Sequence, residues 1–217
     1  MSSSIASKID HTLLRADATV EDLRLLVAEA KEHGFHSVCV NPYWLPTVRP
    51  MLEGSDVKLC SVVAFPLGAS LPQTKAASAR FDVSAGADEV DVVMNIGAAR
   101  EGHWDFIEHE VHEVVSHAEG SLVKIILETC YLSDDEIRHA AERCAKGRAH
   151  YVKTSTGFGP AGATVEAVRI LRETVGDALG VKASGGIRDR ATAEAMLAAG
   201  ASRLGTSQSV SLVNALA

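Results

Sequence analysis

The sequence contains no long apolar segment. No run approaches the roughly 18 consecutive apolar residues that a membrane-spanning helix requires. The first ten residues, MSSSIASKID, also lack the apolar stretch at the centre of a secretory signal peptide. These absences argue against a membrane protein, and we expect a cytoplasmic location without a membrane partner.

The chain also lacks an excess of positive charge and lacks a linker. Its formal net charge is -7, whereas nucleic-acid-binding proteins usually gather lysine and arginine on one face to neutralise phosphates. A nucleic-acid partner is therefore not expected, although a local pocket could hold a small anion. No proline- or serine-rich segment divides the 217 residues, which suffice for one large core. We predict a single domain over residues 1–217.

Cysteine and histidine are not arranged for metal binding. The four cysteines form no CxxC pair, and Cys39 and Cys60 lie in apolar segments, which is typical of buried reduced thiols. His109 and His112 are three residues apart, whereas the HExxH motif needs histidines four apart to face one metal. We predict no metal site; a redox or metal role for the cysteines is the less favoured alternative.

A glycine-rich segment, GFGPAG, has the spacing of the GxGxxG motif of dinucleotide-binding proteins. In such a site an acidic residue stands at the end of the next strand, where it meets the ribose. Asp177 precedes the next predicted strand instead. The motif therefore does not indicate NAD, and no cofactor is predicted.

Short β-branched segments alternate with helical patterns along the chain, which is typical of a parallel sheet built from βα units. Thr19 and Gly34 fit the two caps of one helix, and Ser133 with Glu136 has the spacing of a capping box in another. Eight such units match a compact (β/α)8 TIM barrel of the α/β class, with a doubly wound open sheet as the alternative. The predicted strands are KIDHTL, HSVCV, VKLCSVVAF, DEVDVVMN, LVKIILET, HYVKTS, GVKAS and SRLGTS.

Two lysines occupy equivalent positions at the ends of predicted buried strands. Lys153 precedes TSTG, and Lys182 precedes ASGG about one strand-helix unit later. Catalytic groups of (β/α)8 barrels lie at the carboxyl ends of the strands. A lysine attacks a carbonyl only as the neutral amine, and desolvation together with a nearby ammonium favours that form. The pair therefore indicates one Schiff-base nucleophile and one helper; surface lysines at frayed strand ends are the alternative.

One acidic residue is placed to work with these lysines. Strand alternation puts Glu89, Asp91 and Val93 on one side of DEVDVV, and the flanking valines make Asp91 the acid least exposed to water. A buried aspartate is costly without a partner, so a nearby lysine is expected, either for catalysis or as a structural ion pair. Lys124, on the next strand, either joins this inward group or faces outward under the helices.

The loops after the last two predicted strands are SGGIRD and GTSQS. Loops at these positions of (β/α)8 barrels frequently bind phosphate through glycine N–H groups and a helix N-terminus. The alternative is a pair of ordinary tight turns. The predicted phosphate-binding residues are Gly185, Gly186, Arg188, Gly205 and Ser207.

The ordered set of segments resembles one known family, the class I deoxyribose-phosphate aldolases. The resemblance runs nearly end to end, through IDHTLL, VCVNP, VVAFPLGA, EVDVVMNIGA, VKIILETC, VKTSTGF, GATVEAV, VKASGGIRD and RLGTS. It implies a metal-free (β/α)8 barrel that reversibly cleaves 2-deoxy-D-ribose 5-phosphate to D-glyceraldehyde 3-phosphate and acetaldehyde. Lys153 would form the Schiff base. Lys182 would favour the neutral form of Lys153 and share in proton transfer with Asp91, the proton donor and acceptor.

The same resemblance implies the substrate pocket and the partners. A sugar phosphate and acetaldehyde would be the small-molecule partners, and the chain would act alone or as a homodimer or homotetramer. Asp10, Thr12 and Cys39 would line the pocket. The full set of predicted substrate-binding residues is Asp10, Thr12, Cys39, Lys124, Thr154, Thr156 and Gly157.

Two other functions stay open from the residues alone. A Schiff-base aldolase that uses a bisphosphate or keto-acid donor would need the lysine, but would not require its pairing with Asp91 or a single phosphate site. A sugar-phosphate-binding protein without catalysis would be expected to have lost Lys153, Lys182 or Asp91, and all three are present.

Overall fold

The structure, a computed structural model, describes residues 5–214. Eight parallel strands close into a barrel in sequence order, since the last strand pairs with the first. All eight predicted strands are present, so the (β/α)8 barrel is confirmed and the open sheet is excluded. The strands are β1 Ile9–Leu13, β2 Ser37–Val40, β3 Lys58–Val63, β4 Glu89–Val93, β5 Leu122–Ile126, β6 Tyr151–Lys153, β7 Gly180–Ser184 and β8 Arg203–Thr206.

Helices connect the strands, as parallel neighbours require. None of the helices within residues 5–214 has the length and apolarity needed to cross a bilayer. The α-helices of this part of the chain are α1 Val20–His33, α2 Leu45–Met51, α3 Pro72–Ser84, α4 Ile96–Arg100, α5 Trp104–His117, α6 Asp134–Lys146, α7 Val165–Val175, α8 Arg190–Ala198 and α9 Ser209–Asn214.

The helix ends follow local sequence signals. At the start of α1 the Thr19 hydroxyl accepts a hydrogen bond from the Asp22 N–H, and the Asp22 carboxylate accepts one from the Thr19 N–H at 2.7 Å. Gly34 ends the helix in the left-handed region at φ 66°, where a residue without Cβ is favoured. Ser133 and Glu136 form the predicted capping box of α6. Local chemistry therefore sets where these helices begin and end.

Two different layers fill the molecule. Most buried apolar side chains lie between the outer surface of the barrel and the helices, and Val90 and Val92 of β4 belong to this layer. The alternate residues of β4, Glu89 and Asp91, point to the other side. The barrel interior is consequently rich in charged side chains, and its apolar residues include a small cluster of Leu14, Cys39, Cys60 and Val62. The hydrophobic stabilisation of the fold therefore comes mainly from the layer under the helices.

Two leucines of α1 allow this dependence to be measured. Leu23 is 0% exposed and Leu25 is 60% exposed. Leu23→Ala is expected to lower the free energy of unfolding by about 2–5 kcal/mol, because it removes buried methyl groups and leaves a cavity. Leu25→Ala is expected to change it by less than about 0.5 kcal/mol. Urea unfolding followed by circular dichroism measures both, and similar losses in the two variants would contradict the assignment of the core.

Candidate active site

In the part of the chain that the structure describes, the inside of the barrel contains seven acidic or basic side chains that are almost fully buried. They come from six strands, and the alternation of side chains along each strand turns them inward. Buried charges are costly unless they are paired, and each of these groups lies within ion-pair distance of a group of opposite charge. The seven, called the barrel network below, are Asp10, Glu89, Asp91, Lys124, Lys153, Lys182 and Arg203.

Asp91 is the centre of the barrel network. Its Oδ2 accepts hydrogen bonds from Lys153 Nζ at 2.7 Å and Lys182 Nζ at 2.8 Å. Its Oδ1 accepts one from Lys124 Nζ at 2.8 Å. Burial alone would raise the pKa of Asp91, but the lysines around it, Lys124 first, outweigh burial and hold this pKa well below its usual range. Asp91 is therefore a carboxylate, and the structure brings it together with both lysines that the sequence indicated.

Lys182 is held between two carboxylates. Its Nζ contacts Asp91 and, more closely, Asp10. Burial would lower the pKa of Lys182, but Asp10 and Asp91 together raise it well above its usual range. Gly205 faces it from β8, where an added Cβ would lie 3.0 Å from Lys182 Cε. Gly205, predicted as a phosphate ligand, thus leaves the space that the Lys182 side chain occupies.

Lys124 points into the barrel, which resolves the alternative that the sequence left open. Its Nζ lies 2.6 Å from Glu89 Oε2 and 2.8 Å from Asp91 Oδ1. Burial would lower the pKa of Lys124, but Asp91 and the other anionic groups around it raise this pKa well above its usual range. The side chain is completely buried and lies under the pocket wall. Its predicted contact with substrate stays a prediction, whereas its contacts with Asp91 and Glu89 are direct.

The charges of the barrel network do not match in number. Within residues 5–214 the network contains four basic and three acidic side chains. Lys124, Lys182 and Arg203 each contact at least two carboxylates. Lys153 is within ion-pair distance of Asp91 alone among the described carboxylates. Lys153 is therefore the cation of the network with the fewest carboxylate partners.

A cavity of about 610 Å³ opens at the carboxyl ends of β1, β6, β7 and β8. Lys153 is the only described member of the barrel network on the wall of this cavity, which is called the substrate pocket below after the role proposed for it. The predicted site residues on the wall are Thr12, Lys153, Thr156, Gly157, Gly185, Gly186, Arg188, Gly205 and Ser207. The other predicted site residues lie buried beneath it: Asp10, Cys39, Asp91, Lys124, Thr154 and Lys182.

Two of the buried residues support the pocket wall from below. The Thr154 hydroxyl donates a hydrogen bond to the Ser184 carbonyl and accepts one from the Ser184 N–H, both at 3.1 Å. It thereby ties the end of β6 to the end of β7. Cys39 lies in the small apolar cluster of the barrel interior. Direct substrate contacts of Thr154 and Cys39 stay predictions.

One set of donor atoms has the spacing of a metal site. The ligand atoms of Cys39, Cys60 and Asp91 all lie within 4.8 Å of one another. Both oxygens of Asp91 already accept hydrogen bonds from ammonium groups, and Lys124 Nζ lies 3.4 Å from Cys60 Sγ. Burial also raises the pKa of the Cys60 thiol well above its usual value. The surrounding positive charge and the protonated thiol oppose the binding of a cation here.

Two members of the barrel network were missed by the sequence analysis. Arg203 Nη1 donates to Asp10 Oδ1 at 2.8 Å and lies 3.4 Å from Glu89 Oε2. Glu89 was placed on the same face as Asp91, but no role was assigned to it. The signal for Arg203 was available, because it stands two residues before Gly205 and therefore shares its face of β8.

The fold and the site define a (β/α)8-barrel enzyme with a pocket at the carboxyl ends of its strands and a buried network of charged side chains beneath it. A sequence model described as DeoC/LacD family aldolase matches residues 4–210. The chain belongs to the DeoC/LacD family of aldolases.

Individual relatives agree with this membership. The chain is 51% identical to a deoxyribose-phosphate aldolase of Geobacillus sp. (strain WCH70), covering 98% of this chain and 96% of the relative. It is also 51% identical to a deoxyribose-phosphate aldolase of Deinococcus radiodurans, covering 97% and 96%. The tetrameric deoxyribose phosphate aldolase of Aeropyrum pernix superposes with a TM-score of 0.87 at 35% identity, covering 97% of this chain and 90% of that one.

Removal of one buried cation tests how far the fold depends on the barrel network. Lys124→Met is expected to lower the free energy of unfolding by about 3–5 kcal/mol, because it leaves the carboxylates of Asp91 and Glu89 buried with one partner fewer. Lys146→Met, on the exposed end of α6, is the matched control and should change it by less than about 0.5 kcal/mol. Denaturant unfolding measures both, and equal stability of the two variants would contradict the proposed pairing.

Proposed function

We propose that this protein is a class I aldolase that reversibly cleaves 2-deoxy-D-ribose 5-phosphate to D-glyceraldehyde 3-phosphate and acetaldehyde. The observation that carries the proposal is the position of Lys153, which borders the substrate pocket while its Nζ contacts the buried Asp91 carboxylate. The names of the Geobacillus and Deinococcus relatives support the choice of substrate.

Lys153 is the nucleophile of this proposal. Formation of an imine requires the neutral amine, because an ammonium has no free electron pair. The other three basic groups of the barrel network are each neutralised by two or more carboxylates and lie away from the pocket wall. A neutral Lys153 leaves the network balanced. The same ion pairs that hold Lys124, Lys182 and Arg203 in place thus leave Lys153 as the amine available for reaction.

The cleavage follows from an imine at Lys153. The amine adds to the aldehyde carbon C1 of the open-chain sugar, and loss of water gives a protonated imine. The C3 hydroxyl loses its proton, the C2–C3 bond breaks, and its electron pair moves toward the imine nitrogen to form an enamine. D-glyceraldehyde 3-phosphate leaves, C2 of the enamine takes up a proton, and water hydrolyses the new imine to release acetaldehyde.

Asp91 and Lys182 are the proposed proton-transfer groups. Asp91 Oδ2 lies within 2.8 Å of the Nζ atoms of Lys153 and Lys182. A proton can therefore pass between Asp91 and either lysine over one hydrogen bond. Lys182 also contacts Asp10, which holds its Nζ beside Asp91. This division leaves Lys153 free for covalent chemistry and assigns the movement of protons to its two neighbours.

The loops after β7 and β8 are the proposed phosphate site. Gly185 and Gly186 have φ of 83° and 78°, a left-handed backbone that favours glycine. Ser207 is exposed on the pocket wall. Arg15 also borders the pocket, but Asp17 and Asp22 already neutralise it. Arg188 has no carboxylate within ion-pair distance among residues 5–214 and is therefore the cation available to a phosphate.

Assembly and location are further parts of the proposal. The Aeropyrum relative is described as tetrameric, and self-association of this chain into a dimer or tetramer would cover exposed side chains such as Tyr43, Leu67 and Leu71. A cytoplasmic location is the expectation from the sequence.

Reductive trapping tests the nucleophile. Borohydride added in the presence of acetaldehyde or deoxyribose 5-phosphate is expected to reduce the imine and leave a stable adduct on Lys153, which peptide mass mapping locates. Lys153→Arg is the matched control and should give no adduct, because a guanidinium is always protonated. An adduct on another lysine, or none in the wild-type protein, would refute the assignment.

A new negative charge tests the phosphate site. Ser207→Glu is expected to lower kcat/KM for deoxyribose 5-phosphate about 100-fold, while unphosphorylated deoxyribose should lose less than about threefold, because only the phosphate is repelled. Ser211→Glu adds the same charge on the exposed face of α9 and serves as the control. Equal losses for the two substrates in Ser207→Glu would show that the phosphate binds elsewhere.

A further inference from the structure

Glu128 lies two residues after the end of β5 and does not belong to the barrel network. Its backbone is left-handed, with φ 54°, which is uncommon for a residue that has a Cβ. Its side chain is almost fully buried, with 2% of the residue exposed. A left-handed backbone and a buried carboxylate that contacts Thr156, a residue of the substrate pocket wall, together indicate a specific task.

The backbone on either side fixes Glu128 against β6. The Leu127 N–H donates to the Lys153 carbonyl at 2.9 Å, and the Thr129 N–H donates to the Thr154 carbonyl at 2.9 Å. Glu128 lies between these two hydrogen bonds. Its position is therefore set relative to the residue that is proposed to form the imine.

The Glu128 carboxylate forms its short hydrogen bonds with one residue, Thr156. Both of its oxygens accept the Thr156 N–H at 3.2 Å, and Oε2 also contacts the Thr156 hydroxyl closely. Cys130 Sγ also donates to Glu128 Oε1, at 3.8 Å. The carboxylate consequently acts on the pocket through Thr156.

These contacts fix the direction of the Thr156 hydroxyl. A carboxylate has no hydrogen to donate, so the hydroxyl hydrogen points to Glu128. The Phe158 N–H donates to Thr156 Oγ1 at 3.0 Å and occupies one lone pair. One lone pair of Oγ1 is left, and Thr156 borders the substrate pocket together with Lys153. Toward a substrate, this hydroxyl can therefore only accept a hydrogen bond.

We propose that Glu128 is a positioning residue that orients the Thr156 hydroxyl to accept a hydrogen bond from a hydroxyl group of the substrate. The inference rests on the proposed function and adds a determinant of substrate class to it. Deoxyribose 5-phosphate offers hydroxyl groups, whereas acetaldehyde offers none. Glu128 thus favours the hydroxyl-bearing sugar phosphate and leaves the reaction of Lys153 with simple aldehydes largely independent of this contact.

Two reactions of the same enzyme distinguish a substrate that offers a hydroxyl group from one that offers none. One is cleavage of deoxyribose 5-phosphate; the other is exchange of the acetaldehyde methyl hydrogens in D2O, which needs the imine at Lys153 but no substrate hydroxyl. In Glu128→Gln the new amide can donate to Thr156 Oγ1 and reverse the hydroxyl. Cleavage is expected to lose about 30-fold in kcat/KM and exchange less than about threefold, the scale of one hydrogen bond.

Glu136→Gln is the matched control. Glu136 also accepts a backbone N–H, from Ser133 at 2.7 Å, but on the exposed start of α6. This variant should leave the ratio of the two rates unchanged. Because both rates are measured on one preparation, a partly unfolded sample lowers both and does not alter their ratio.

Variants of Thr156 complete the test. Thr156→Ser keeps the hydroxyl and should retain most of the cleavage activity, whereas Thr156→Val should lose it as Glu128→Gln does. If Glu128 acts through Thr156, the double variant Glu128→Gln/Thr156→Val loses no more than Thr156→Val alone. The inference is overturned if the losses of the two single variants multiply in the double variant, or if a variant loses cleavage and exchange equally. In either case the activity of the wild-type protein still upholds the proposed function. A wild-type protein that performs neither reaction overturns both.

Discussion

Neutralisation of the Asp91 carboxylate is the interaction on which the rest of the structure depends. Asp91 is completely buried, and the three lysines around it supply the charge that makes this burial tolerable. Each lysine then needs its own place in the barrel. Lys124 also contacts Glu89, and Lys182 also contacts Asp10. Arg203 contacts both of these acids. A single buried charge thus leads to a network that spans six strands.

Because the barrel interior is polar, the hydrophobic stabilisation of the fold comes mainly from the outer layer. The outward residues of the strands and the inward faces of the helices form the main apolar core, while the interior contributes a small cluster around Cys39 and Cys60. This separation suits an enzyme, because the reactive groups can be arranged for charge and not for packing. The carboxyl ends of the strands then carry the pocket, and Thr154 and Glu128 tie neighbouring loops together there.

Lys153 differs from the other cations of the network in two respects that reinforce each other. It has one carboxylate partner where the others have at least two, and it alone among them borders the substrate pocket. The cation with the fewest carboxylate partners is therefore also the one on the wall of this cavity. The ion pairs that neutralise the other three cations thus leave Lys153 as the one that the proposed mechanism uses.

The sequence by itself determined the barrel and the central residues of the site. β-branched segments and helix caps are local signals, and Lys153, Lys182 and Asp91 stand out because they interrupt apolar strands. Only the tertiary structure decided that Lys124 faces inward, that Arg203 pairs with Asp10 across 193 residues, and that Glu128 closes on Thr156. The physical reason is that alternation along a strand tells which residues share a face. Which face turns inward, and which residues of neighbouring strands stand level, is decided by barrel closure and strand register.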